Sequence, residues 1–77
     1  MEGITEIDKT KYIDECKEIV RNEIPEELSD EMLTIVTNEI MDTCLFIGGD
    51  FKNIIDITKQ YVTMGGIRRI KKAHEGI

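Results

Sequence analysis

Apolar residues recur every three or four positions along this chain, and that spacing predicts helices. Over about residues 8–24 the series is Ile13, Cys16, Val20 and Ile24, widened by Tyr12 and Ile19. The other face carries Asp14, Glu15, Glu18, Arg21 and Asn22, which suits a helix with one side on a core and one in water. Thr5 or Asp8 can cap its start. Asp14 with Lys17 and Glu18 with Arg21 give small local support three positions apart. Pro25 ends it, because proline lacks an N–H and disfavours a helical Ile24. A second helix is predicted over about 29–47. Ser29 is its N-cap, Asp30 and Glu31 suit the positive end of the helix dipole, and Leu28 and Leu33 are spaced as a hydrophobic staple. Its stripe, Leu33, Val36, Ile40, Cys44 and Ile47 with Met32, Met41 and Leu45 alongside, is broad enough to make this helix the central one.

Gly48-Gly49 closes that helix, and Asp50 is placed to cap a third over about 51–64, with stripe Phe51, Ile54, Ile55, Thr58 and Val62 and with Tyr61 beside it. Ile55, Ile57, Lys59, Tyr61 and Thr63 also alternate as a strand would, but the preceding glycine-aspartate favours a helix start. Gly65-Gly66 then punctuates the chain. The tail at about 67–75 is either a short fourth helix or a continuation of the third, with Ile67, Ile70 and His74 on one face and Arg68, Arg69, Lys71 and Lys72 outward. Two glycines each cost about 1 kcal/mol inside a helix, which favours a break. The expected fold is all-α: residues 1–77 as a single domain, a small antiparallel bundle of three helices with that short C-terminal fourth.

Composition sharpens this picture. A chain of 77 residues buries only about 60% of its unfolded surface, so self-association is a natural supplement. Fourteen isoleucines supply the core in place of aromatics. The net charge of −6 is unevenly spread: residues 1–50 hold fourteen acids and four bases, a balance of −10, while residues 51–77 hold two acids and six bases, a balance of +4. The opposed ends can attract each other within the fold or between copies. The acidic part repels nucleic acid and anionic membrane. Cys16 and Cys44, without close cysteine pairs, read as buried thiols in a reducing compartment, with a disulfide between packed helices as the alternative. With no signal-like N-terminus and no long apolar run, a cytoplasmic location and no membrane span are expected.

Catalytic and metal-binding material is sparse. One histidine, His74, stands far from both cysteines, so a zinc ligand set is not expected. Ser29 is explained as a cap, and no nucleophile has an evident base, so neither enzyme activity nor a cofactor is expected. Two charged sets are the candidate sites. Glu15, Glu18, Glu23, Glu26, Glu27, Asp30 and Glu31 would crowd the corner between the first two helices and could imitate a nucleic acid on a basic protein surface. Their plainer role is solubility. Gly65, Gly66, Arg68, Arg69, Lys71 and Lys72 place flexible backbone and cations near a helix start, which could hold an anion or nucleotide at an oligomer interface. The spacing fits no P-loop or dinucleotide motif, and a turn with a soluble basic tail explains it as well. The same tail could meet DNA, though aromatic interleaving is missing.

Acyl carrier proteins share this length, acidity and helix count, but they need Asp-Ser-Leu where this chain has Leu28-Ser29-Asp30, and the reversed order excludes them. The stretch Leu28 to Leu33, followed by Asp50-Phe51, is faintly similar to small helical-hairpin inhibitors of sporulation kinases. That similarity covers a handful of residues and needs a gap, so it assigns no family. The function expected first is that of a small acidic protein-binding regulator or inhibitor, of the kind a phage directs at a host protein, acting through its acidic face as a homo-oligomer. Anion or nucleotide binding is the alternative, and DNA binding the third.

Overall fold

The computed structural model describes residues 6–75. Over that span the chain forms four helices and no strand: α1 (Glu6–Glu23), α2 (Asp30–Gly48), α3 (Ile54–Thr63) and α4 (Gly66–Glu75). The all-α architecture predicted from the apolar spacing is the one observed.

The ends of α2 follow from the residues that stand there. The Ser29 hydroxyl accepts the Met32 N–H at 3.2 Å, which satisfies one orphan donor of the first turn. At the other end Gly49 takes a left-handed φ of 78° and its N–H donates to the Leu45 carbonyl at 3.0 Å. The first helix stops at Glu23, just ahead of Pro25. It is already helical at Glu6, so Asp8 lies inside the first turn rather than at the cap; Thr5 lies outside the described residues.

The third helix starts three residues later than its apolar pattern suggests. Asp50 does not cap it: its carboxylate accepts the Lys52 N–H at 3.0 Å and so closes a turn over residues 50–52. Asn53 takes the N-cap position without a side-chain hydrogen bond. Short polar side chains compete for nearby backbone donors, and here the competition delays the helix. Phe51 therefore belongs to the connection, and the buried stripe of α3 is Ile54, Ile57 and Thr58, flanked by half-buried Tyr61 and Val62. Ile55, expected on that stripe, is 44% exposed. It sits about 100° round from Ile54, at the edge of the apolar sector, and Ile57 takes its place. The tail is a separate helix and not a continuation. Gly65 reaches a left-handed φ of 79°, which breaks the path of α3, and its carbonyl accepts the Arg69 N–H at 3.0 Å to open α4.

Both α2 and α3 pack against the other three helices, whereas α1 and α4 do not pack on each other among the described residues. Arg69, in the first turn of α4, faces Glu39 in the middle of α2, while His74 near the end of α4 faces Glu31 in the first turn of α2. Those two helices therefore run antiparallel. Val20, Val36, Ile40 and Met41 are fully buried, with Ile54, Ile57, Ile67 and Ile70 closing the core from α3 and α4. Each such side chain contributes roughly 1.5–3 kcal/mol. Ile47 points at the correct angle for the α2 stripe but is 64% exposed, because it lies in the last turn, beyond the helices that cover the rest.

One core residue works against the others. Thr37 is fully buried and its hydroxyl has no hydrogen-bond partner. Thr58, equally buried, donates to the Ile54 carbonyl at 2.7 Å and is satisfied. Thr37→Val replaces an orphan hydroxyl with a methyl of the same shape and is expected to raise stability by about 1 kcal/mol, read as a higher urea midpoint at unchanged slope. Thr58→Val gains nothing comparable, because it removes a made bond.

Candidate protein-binding face

The acids singled out in the sequence fall into two groups along the chain. Glu26, Glu27, Asp30 and Glu31 occupy the connection after α1 and the first turn of α2, while Glu15 and Glu18 lie further back on α1. Glu23, the last residue of α1, is only partly exposed. Within the first group, opposite charges from the same chain are close. Lys71 lies 3.3 Å from Glu26, Lys17 lies 3.0 Å from Asp30, and His74 lies 3.9 Å from Glu31. The last pair is ionic only when the imidazole is protonated. Lys17 thus reaches α2 from α1, a longer-range partner than the Asp14 of its own helix.

Lys71 and His74 in these pairs come from α4, and a third α4 residue, Arg69, lies 3.7 Å from Glu39. The basic tail is therefore folded back on the acidic part of its own chain. Pairs this exposed contribute only about 0–1 kcal/mol each. Burial of Ile67 and Ile70 on the inner side of α4 is worth more, so the ion pairs orient the helix and the isoleucines hold it. Lys71, expected to point outward, flanks this inner face and is half-buried, since it follows Ile67 by one helical turn.

The residues proposed for anion binding are divided between two openings, Gly66 and Arg69 sharing a cleft of about 320 Å³ with Gln60, Tyr61 and Met64, and Gly65 and Arg68 sharing another. Arg69 and Lys71 face carboxylates, Lys72 is exposed on the tail, and Arg68 lines a cleft of about 190 Å³ that Gly65 shares with Glu26. An anion in this second cleft would meet that carboxylate. Among the described residues no three histidine, cysteine, aspartate or glutamate side chains come together to hold a metal ion, and no helix is long and apolar enough to cross a membrane.

Two features escaped the sequence reading. The first is a polar cluster where α3 and α4 meet α2. Tyr61 Oη lies 2.7 Å from Thr43 Oγ1 and 3.3 Å from Glu39 Oε2, and the same carboxylate oxygen faces Arg69. Burial pushes the Tyr61 phenol above its ordinary pKa. The Glu39 charge adds to that shift, and the Thr43 hydrogen bond and Arg69 oppose it. The four-residue spacing of Glu39 and Thr43 was the available signal, but Tyr61 joins them only through the fold. The second feature is a cleft beside Glu15, where Tyr12 meets Phe51 edge to face with ring centroids 5.8 Å apart.

Both cysteines are free and buried. Burial raises both thiols, with Glu15 adding at Cys16; Cys44 is pushed up to about 11, with Cys16 and Asp50 adding to the effect of burial. A raised pKa means that the folded thiol keeps its proton where the unfolded thiol, with an ordinary value of 9.0, has lost it. Stability is thus full below about pH 9 and is expected to fall as pH rises toward 11, with Cys16 and Tyr61 acting in the same direction. Urea midpoints measured across that window check this. Cys44→Ala is expected to flatten the decline, and an unchanged decline would assign it to other groups.

Comparison with protein-family models, curated proteins and solved structures finds no match to this chain.

Proposed function

We propose that this chain is a small acidic binding module that docks on a basic surface of another protein and regulates it by occupying that surface. The observation that carries the proposal is the way charge is disposed. Lys71 and Arg69 of α4 are turned toward Glu26 and Glu39, while Glu15, Glu18 and Glu27 are exposed on a chain of net charge −6. Such a surface speeds and orients encounter with a positive partner, and it does so without a catalytic centre. The competing idea, an anion or nucleotide held near Gly65 and Gly66, requires Arg69 and Lys71 to leave carboxylates they already face.

Affinity capture tests this. The wild-type chain and a Glu15→Lys, Glu18→Lys, Glu27→Lys variant of matched melting temperature are used as baits at low and high salt. A protein retained by the wild type, released by salt and absent from the variant is expected. The same proteins on both baits would sink the proposal.

A further inference from the structure

The cleft beside Glu15 has a volume of about 500 Å³ and lies between α1 and the start of α3. Tyr12 and Ile19 wall it from α1, Phe51 and Ile54 from the other side, and Glu15, Asp50 and Lys52 are its charged lining residues. It is not an unfilled part of the core. Cys16 and Ile54 are 3% and 4% exposed, so the interior is closed behind it, while Tyr12 is 38% exposed. Two of the four aromatic residues of the chain are thus placed at a surface opening, although aliphatic residues fill the core. Aromatic side chains so placed offer large contact area at small entropic cost.

Charge indicates what fits there. The exposed side of α1 beside the cleft carries Glu15 and Glu18, and Asp50 adds a third acid; Lys52 lines the cleft as well, and Lys11 is the other base nearby. Lys11 Nζ already lies 5.6 Å over the Tyr12 ring, so that ring face accepts a cation. We propose that the cleft receives one large apolar side chain of a partner helix whose neighbouring residues are basic, with Glu15, Glu18 and Asp50 meeting the flanking charges. This rests on the acidic-face proposal above and names the anchor that would turn electrostatic encounter into a specific complex. A second copy of the chain is the poorer occupant: it also carries −6, and its basic helix is turned toward its own acids.

The chain contains no tryptophan, so a tryptophan in a probe reports without interference. Three fluorescein-labelled helical peptides are used: Lys/Ala-rich with one central Trp, the same with Ala for Trp, and a Glu/Ala-rich version with Trp. Anisotropy titrations are expected to show the basic Trp peptide binding at least about tenfold tighter than its Ala counterpart. An unlabelled basic Trp peptide is expected to shift its emission to the blue on binding. Tyr12→Ala, with circular dichroism matching the wild type, is expected to abolish most of that preference, and Glu15→Lys to weaken both basic peptides. Equal binding of the two basic peptides would overturn the cleft while leaving the acidic face standing. No binding of either basic peptide would overturn both. An acidic Trp peptide that binds as well as the basic one would overturn the choice of partner.

Discussion

Ile40→Ala is expected to lose about 2–5 kcal/mol of folding stability, enough to leave a large unfolded fraction at physiological temperature. A chain of this length has roughly 4–12 kcal/mol in total, so one core truncation removes a large part of the margin. Ile40 is fully buried on α2, which packs against all three other helices, so the cavity left behind has few ways to collapse. For a domain of this size the melting temperature is expected to fall by about 10–30 °C. Phe46→Ala is the control. It deletes a larger side chain from the same helix, but Phe46 is 91% exposed, and its loss is expected to cost no more than about 0.5 kcal/mol. Thermal melts of both variants decide the matter. Should Phe46→Ala prove the more damaging, the inward and outward faces of α2 have been exchanged.

Gly66→Ala has the second large effect, and its sign depends on competing terms. Gly66 is the first residue of α4 and has no positive φ, so alanine would by propensity favour the helix by up to about 1 kcal/mol. Against that, an added Cβ would lie 2.7 Å from Tyr61 Cδ2 and 3.3 Å from the Tyr61 carbonyl oxygen. A free ring would swing aside. This ring is tethered at its far end by the Thr43 and Glu39 hydrogen bonds, and moving it costs about 1 kcal/mol for each bond lost, on top of strain of roughly 1–3 kcal/mol. The expected net result is a loss of about 2–4 kcal/mol, with the clash outweighing propensity. A double-mutant cycle isolates the mechanism: in a Tyr61→Phe background the untethered ring yields and Gly66→Ala costs less, a coupling of roughly 1 kcal/mol. Gly65→Ala is strained for a different reason, its φ of 79°, with nothing within 4 Å of the new Cβ, and its cost is expected to be independent of Tyr61. A Gly66→Ala chain more stable than wild type would show that the ring gives way freely.

The placement of the charged sets bears on where function is sought. The basic tail looked available for phosphate as a sequence, yet Arg69 and Lys71 meet carboxylates more than twenty residues away. The acidic set looked like one corner, yet Glu15 belongs with an aromatic-lined cleft and Glu26 with α4. Neither juxtaposition follows from local spacing, because each depends on which helices become neighbours.

Helix identity was legible in the chain itself, since a 3.6-residue repeat and the stop signals at Pro25, Gly49 and Gly65 act over a few residues and need no partner. Ser29 capped its helix as local chemistry requires. Only packing decided which apolar residues the core would use, leaving Ile47 and Ile55 outside and taking Ile57. Only packing brought Tyr12 to Phe51, Tyr61 to Thr43, and the cations of α4 to the acids of α2 and its preceding connection. Propensity and capping are short-range, whereas a contact between distant residues exists only once burial of aliphatic surface has fixed how the helices lie.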